Sequence, residues 1–523
     1  MKRFLSYVPV AILSLAIATY VSVFGVLTWN QQTNFGTFGF DMGIYDQAIW
    51  LLSRFEEPFV TVRGLNFFGH HVNLTTVLLT PFYWLGAGPR FLYLVETLML
   101  AAGAIPLWLL GRSLMRSQWL ALSVPIAYLL FPSIEWINWW HFHPDALSIT
   151  PLLFAWWYSY SKRWGLFGVA IALGLGAKED VSFAVSVMGL LIAARYTLAT
   201  YRENPQTTGE TSLFERFSLY MRNPGVAAGL LTFLAGIGWW LICSRLIIPA
   251  ANAGVGSFYA DLFPGFGHTP LEVIKNIFLD PAHLYAAAST TEHFTYYLKV
   301  FGPTGFLSLL SPVTLIGIPQ LAVNAISAHG YTHDFHYHYT SIVAVGVFLG
   351  TTHAMAWLGQ HGAVLRLGLP ILVLATSIGT HVAWSPSPIG MSFRTGIWAQ
   401  PQKKHESLRS AMLMIPRNAG VTSTYYIVPH LTHRKRIYEF PNPFRLANWG
   451  VSGENPGDPK YVDYLLIDTT LTGSDTNLYL SLVSAGGDFE VVFSENQIEL
   501  AKRREAHSDR AGRPPVNEYG TSD

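Results

Sequence analysis

Long apolar runs alternate with short polar connections over the first three-quarters of the chain, a rhythm that predicts membrane-spanning helices. The first run extends from Tyr7 to Leu27. At 1.5 Å per residue, its roughly 21 residues cross a hydrocarbon core about 30 Å thick. The Met1-Lys2-Arg3 start could head a signal peptide. The run is longer than such a peptide's apolar region, however, and no small-x-small cleavage site closes it, so it reads as a retained helix. Further runs lie at 90–110, 119–137, 146–161, 164–177, 181–196, 226–247, 340–358 and 364–384. The stretch 294–327 is long enough for two short spans turning near Ser311-Pro312, which brings the expected count to about eleven. The Pro-broken run 72–88 is expected to lie along the interface as a helix.

After about residue 385 the pattern changes. Ser385-Pro386-Ser387-Pro388 reads as a linker. Strand-like runs follow at Gly420–Val428, Tyr461–Ile467, Phe489–Phe493 and Ile498–Leu500, with helix-prone pieces at 405–415 and 476–485 and a turn at Asn455-Pro456-Gly457-Asp458. The expected organisation is therefore an all-α membrane bundle over 1–384, including a first outer loop at 28–89, then a small α/β domain over 385–504. The polar stretch 505–523 is expected to be a disordered tail, and 203–218 an ordinary linker.

Composition agrees with this division. Of 523 residues, 51% are hydrophobic and only 12% charged, about half the charged share of ordinary soluble domains. A formal charge of +1 gives no basic field for nucleic acid. The single cysteine, Cys243, excludes an intramolecular disulfide and any cysteine-based metal site. With the N-terminus inside, the inner connections hold eleven basic residues and the longer outer ones five, so the bias orients the chain with a cytoplasmic start in a cell membrane. An odd number of spans then puts the C-terminal domain on the extracytoplasmic face.

On this topology every strong polar motif falls on the outer side. The first loop carries Asp41, Tyr45, Asp46 and Gln47, then His70 and His71; the second carries His141, His143 and Asp145. Lys178-Glu179-Asp180 forms a third cluster. The segment 248–293 holds Asp261, His268, Asp280, His283, Glu292 and His293, and a fifth segment holds His336 and His338. Ionisable groups near a bilayer are costly and mark function unless they are paired structurally. Each has a bland reading beside the functional one. Asp41 and Asp46 could cap an interfacial helix, although Asp41 and Tyr45, four apart, share a helix face. His70 and His71 could simply start a helix, and His143 or Asp145 could serve only as a cap before Pro144. Lys178 could neutralise its own acidic neighbours rather than contact phosphate. His336 and His338 could snorkel beside Tyr337 and Tyr339. Trp136, Trp139, Trp140, Trp156 and Trp157 read mainly as an interfacial belt, with sugar stacking as the alternative. The run His433-Arg434-Lys435-Arg436 reads as a solvated edge, and the glycines of 165–176 as helix-packing positions. His and Asp are also ligands for a divalent metal, so Mg, Mn or Zn on Asp41, His143 and Asp145 stays open although no fixed-spacing signature occurs. No phosphate-binding P-loop occurs.

Together these features resemble the GT-C type glycosyltransferases, integral membrane enzymes that use polyprenyl-phosphate-linked sugars. Asp41 and Tyr45 match the spacing of that class's first-loop motif, and Met42 departs from it by replacing a second acid. More closely, Phe-Asp-x-Gly-x-x-Asp-Gln at 40–47, Gly-His-His at 69–71, His-x-His-Pro-Asp at 141–145, Lys-Glu-Asp at 178–180 and Pro-His-Leu-x-His-Arg at 429–434 are similar to a bacterial multi-pass membrane family of unknown function grouped with that class. The resemblance covers about 30–500. It implies an inverting transfer of sugar from a polyprenyl phosphate to an acceptor outside the membrane, with Asp41 as general base and Asp46 as the competing base. Asp145 would orient acceptor or metal, and Tyr45, Gln47, His70, His71, His141, His143, Lys178, Glu179, His336 and His338 would contact substrate. Two other classes stay open: a structural or assembly subunit without chemistry, which Met42 favours, and a lipid-linked-sugar transporter. The transporter would need inverted repeats and broken helices in paired halves, neither of which is visible.

Overall fold

Within lipid a backbone can satisfy its polar groups only inside helices or closed barrels, and the apolar runs are helices in the computed structural model, which describes residues 2–203, 218–256, 262–447, 453–455 and 457–504. Among the described residues, 7 helices are long and apolar enough to cross a membrane: Tyr7–Thr33, Pro89–Met115, Gln118–Trp140, Val181–Glu203, Pro224–Ala251, His338–His361 and Ala363–Trp384. The expected count of eleven also drew on the 17-residue helix Pro144–Tyr160 and the 12-residue helix Trp164–Leu175, the second rising only about 18 Å. The stretch 294–327 does not form two spans. It runs from the helix Thr291–Phe301 through 3-10 turns to the helix Ile318–Ile326. Pro303, Pro312 and Pro319 each remove an intrahelical hydrogen bond there, and Gly305 turns at φ 60°.

The expected interfacial helix at 72–88 appears as two short turns, Leu74–Val77 and Thr80–Tyr83, with Leu78, Phe82, Trp84 and Leu85 exposed. Val181–Glu203 and Pro224–Ile242 pack very closely. A Cβ on Gly189, Gly229 or Gly236 would strike the facing helix's backbone. Of the glycines in 165–176, Gly165 and Gly168 have nothing within 4 Å of a Cβ, whereas a Cβ on Gly174 would press on Leu152 and one on Gly176 on Thr75, so the second half of that run packs closely as expected.

The C-terminal region forms a five-stranded sheet. With a small hairpin in the first loop supplying β1 (Phe59–Val60) and β2 (Leu65–Asn66), its strands are β3 (Val421–Ser423), β4 (Ile437–Glu439), β5 (Tyr464–Asp468), β6 (Phe489–Glu495) and β7 (Ile498–Arg503), in the order β4-β3-β5-β7-β6. β3 runs parallel to β4 and β5, whereas β7 runs antiparallel to β5 and β6. β4 directly follows the basic run and was not expected. The expected strand 420–428 is half 3-10 turn, from Tyr425 to His430. Successive side chains alternate faces, and Tyr464 to Ile467 are apolar throughout because both faces are covered. Leu465 and Ile467 pack with Tyr479 of the helix Thr476–Val483. Leu466, Val421 and Leu500 instead share a core with Met42, Ile49, Val62 and Phe142. One face of the sheet is therefore built into the first loop, and the C-terminal region has no separate core on that side. The expected tail 505–523, Asp261, most of the linker 203–218 and Pro456 of the predicted turn lie outside the described residues.

Candidate active site

The site starts from one helix, Gly39–Ser53, which carries Asp41 in its first turn, where a negative charge is favoured by the helix dipole. Residues four apart lie about 40° apart around a helix, whereas Asp46 lies about 140° from Asp41. Accordingly Asp41 and Tyr45 line a cavity of about 520 Å³ while Asp46 and Gln47 face away from it.

Asp41 is met by the segment after the helix Pro132–Trp140. His143 Nε2 stands 3.7 Å from Asp41 Oδ1. The His143 ring is fixed by its Nδ1, which donates to the His141 carbonyl at 3.2 Å, and by stacking on His338 at 3.8 Å between ring centres. Its backbone N–H donates to Glu96 Oε1 at 3.2 Å. Burial works against ionisation of Asp41, but His143, with His141 and His338, outweighs it and lowers the carboxyl to about 2. Asp41 is therefore a carboxylate at neutral pH. His141 has another role. Its backbone takes φ 119°, a strained value for a non-glycine residue. The turn is held because the Phe38 N–H donates to Nε2 at 3.2 Å and Nδ1 meets the Tyr93 hydroxyl at 2.8 Å. Burial keeps that ring neutral, lowering it to about 3.

The third motif supplies the cation. Lys178 Nζ lies 3.1 Å from Asp145 Oδ1 and 3.2 Å from Asp180 Oδ2, with the lysine buried. Burial opposes the ammonium charge, yet Asp145, Asp180 and Glu179 together raise Lys178 well above its ordinary value. Asp180 is pushed the other way, up to about 6, by burial and by Asp145 against the pull of Lys178. Glu179 turns aside to accept from His71 Nδ1 at 2.6 Å and from the Val72 N–H at 2.9 Å, tying the third motif to the first loop. His70, packed on His71, is held neutral by burial and by the cations around it.

Tyr337, His338 and Tyr339 close the cavity from the fifth segment, with Tyr331 and His329. His336 does not join them. Its Nδ1 bonds Asp334 Oδ1 at 2.5 Å and its ring meets Trp136 edge-on, so the expected His336/His338 pair is split. Asp145 reaches the site only through Lys178.

Asp46 and Gln47 instead join the first loop to the sheet region. The Tyr83 hydroxyl donates to Asp46 Oδ1 at 2.6 Å, Thr432 donates to Oδ2, and His433 Nε2 lies 3.2 Å from Oδ2. Asp46 is fully buried and lines no part of the cavity that holds Asp41. Gln47 Nε2 donates to Thr61 and to the carbonyls of Arg434 and Lys435, which leaves it no part in the cavity. The basic run is accordingly only in part a solvated edge: His433 and Lys435 are exposed, while its other residues are drawn inward. Arg434 is buried against the carbonyls of Leu431 and Ala419, and Ile437 exchanges hydrogen bonds with the Thr61 hydroxyl.

Two groups had no motif to announce them. Glu96 sits in a span and carries the His143 backbone. Glu439 of β4 is pushed up to about 7 by burial and by the charge of Asp41. A lone acid in an otherwise apolar run is the signal that could have exposed Glu96; Glu439 had none. For a metal, the donor set does not fit. Among the described residues no group of three or more His, Cys, Asp or Glu side chains is placed to hold a metal ion, and Asp145 is paired with Lys178.

An apolar helical bundle whose polar outer segments surround an ionised cavity defines a multi-pass membrane protein. The chain belongs to the family described as predicted membrane protein (DUF2079), whose model matches residues 32–500. Among solved structures it is similar to ArnT from Cupriavidus metallidurans bound to undecaprenyl phosphate, with a TM-score of 0.52 and 11% identity over 94% of this chain and 98% of that one. It also matches the Archaeoglobus fulgidus oligosaccharyltransferase in complex with zinc and sulfate, with a TM-score of 0.41 and 12% identity over 91% and 70% of the two chains. No curated protein matches.

Proposed function

We propose that this protein is a membrane glycosyltransferase that moves a sugar from a polyprenyl-phosphate donor to an acceptor on the extracytoplasmic side, inverting the anomeric centre. The observation that carries the reading is one enclosed cavity lined by both a carboxylate, Asp41, and an ammonium group, Lys178. The similar structure's bound undecaprenyl phosphate supports the class of donor. The motif distribution and the bias of basic residues support a cytoplasmic N-terminus and an inner-membrane location.

In the proposed step the acceptor hydroxyl attacks the anomeric carbon, the bond from that carbon to phosphate oxygen breaks, and the polyprenyl phosphate leaves with the electron pair. Asp41 takes the acceptor proton. A carboxyl held at about 2 is a weak base, so it accepts that proton late, as the attacking oxygen becomes positive; its value lies in position and permanent charge. Lys178 faces the developing phosphate charge with the N–H not spent on Asp145 and Asp180, and neutral His70 adds a donor. The second negative charge that the phosphate gains as that bond breaks favours protonation of Asp180, already poised near neutrality.

The test is sugar transfer in reconstituted membranes from radiolabelled polyprenyl-phosphate sugars, wild type beside Asp41→Asn. Wild type transfers, and the variant, folded and membrane-inserted, loses about 10²–10⁴-fold. A wild type that binds undecaprenyl phosphate but transfers no sugar from any donor overturns the reading.

A further inference from the structure

A second cavity, of about 370 Å³, lies beside the first, between the first loop, the end of the helix Pro132–Trp140 and the sheet region. Its volume is in the range of small-ligand sites. Phe38 and Trp140 line both cavities, so the two share a wall. The remaining lining is unusual for a surface recess. Trp139, Tyr425 and Tyr426 present rings, and Asn34, Gln402 and Lys404 present amide and ammonium groups.

These rings are fixed. Trp139 Nε1 donates to the Ile397 carbonyl at 3.2 Å, and the Tyr426 hydroxyl donates to Asp468 at 2.6 Å. Tyr425, by contrast, is 39% exposed and stands 5.8 Å from the Phe38 ring. The polar groups are also anchored but retain capacity: Asn34 donates to the Ala399 carbonyl and keeps its own carbonyl, and Lys404 uses one of three N–H groups on Asp468.

We infer that this aromatic cavity binds a neutral carbohydrate acceptor and feeds its hydroxyl past Phe38 and Trp140 to Asp41. A pyranose ring has an apolar C–H face that lies on an aromatic ring and an equatorial rim of hydroxyls that both donate and accept. Fixed rings rimmed by amides match that pair of demands. Lys404 is neutralised by Asp468, so nothing in the recess selects a charged sugar, and its polar rim does not suit a lipid chain. The inference deepens the reading above, on which it rests for the direction of transfer, by naming the class of acceptor.

The experiment measures binding of neutral oligosaccharides (gluco-, manno- and galacto-oligomers) to the full chain in nanodiscs, beside binding of undecaprenyl phosphate. Wild type binds at least one oligosaccharide saturably. Tyr425→Ala weakens that binding at least tenfold, Tyr425→Phe leaves it within about twofold, and both keep undecaprenyl phosphate binding, which shows that they fold. Absence of oligosaccharide binding in wild type, or binding that Tyr425→Ala leaves unchanged, overturns the inference. Binding of a peptide in the recess in place of sugar also overturns it. Oligosaccharide binding that depends on Tyr425 in a protein that transfers nothing from any donor supports the carbohydrate site and sinks the transferase reading alone.

Discussion

Replacing Asp46 by Asn separates a structural carboxylate from a catalytic one. Asp46 is fully buried and receives hydrogen bonds from Tyr83 and Thr432 and a contact from His433 Nε2 at 3.2 Å. Hydrogen bonds to a charged group contribute about 1.5–3 kcal/mol each, against about 1 for neutral ones. Asn keeps the shape but loses the charge, and its NH₂ faces a donor. With the His433 contact, partly exposed, discounted for solvent, the loss comes to about 3 kcal/mol. The sheet region is held to the first loop at this point, so the cost falls on local opening there. Amide hydrogen exchange over 421–439 should then quicken by about two orders of magnitude, since 1.4 kcal/mol is tenfold, while amides within the spans stay unchanged. The pH dependence has a definite sign. Burial lowers the affinity of His433 for protons, but Asp46 outweighs it and raises His433 above the ordinary 6.5. That contribution is complete below about pH 6.5 and is lost as pH rises through the raised value. The difference between wild type and Asp46→Asn should therefore shrink above it. Unchanged exchange over 421–439 together with abolished sugar transfer would refute the clamp and return Asp46 to the chemistry.

Other substitutions test neighbouring parts of the argument. Lys178→Met leaves Asp145 and Asp180 buried without their cation, a loss of about 3–5 kcal/mol; membrane-inserted yield should fall sharply, and adding Asp180→Asn should recover part of it. Glu96→Ala removes the acceptor of the His143 N–H, so transfer should drop at least tenfold with undecaprenyl phosphate affinity unchanged, whereas Glu96→Gln keeps most activity. A Cβ at Gly39 would collide with the Tyr425 carbonyl; Gly39→Ala should speed amide exchange over 425–430, and unaltered exchange there would show that the close approach does not matter. Glu439, pushed up to about 7 by burial and Asp41, costs stability progressively as pH rises from the ordinary carboxyl value to about 7, so Glu439→Gln should slow exchange over 437–439 most at pH 8.5, less at pH 5.5 and little below pH 4.5.

Much of the membrane architecture was legible because lipid imposes a rule that needs no tertiary knowledge: a run of about 20 apolar residues is a helix that spans. The runs at 7–27, 181–196, 340–358 and 364–384 all became such helices. The rule failed at 294–327, where apolarity predicts burial in lipid but three prolines and the turn at Gly305 decide the backbone. The motif positions were also legible, and the helical period alone could have separated Asp41 and Tyr45 from Asp46 and Gln47. That argument was available in the sequence, and the resemblance obscured it by making the two acids look equivalent.

Sequence by itself determined the class of molecule, its spans and the residue types available for chemistry, because hydropathy and periodicity are properties of consecutive residues. It could not decide which polar groups would meet. His143 on Asp41, Lys178 between Asp145 and Asp180, and His433 on Asp46 join positions as much as 387 residues apart. Nor could it show that one face of the C-terminal sheet shares its core with the first loop, which turns a basic run that looks solvated into a partly buried clamp. Pairing across such separations depends on how helices pack and loops close, and each group's charge is set by the partners it finds there.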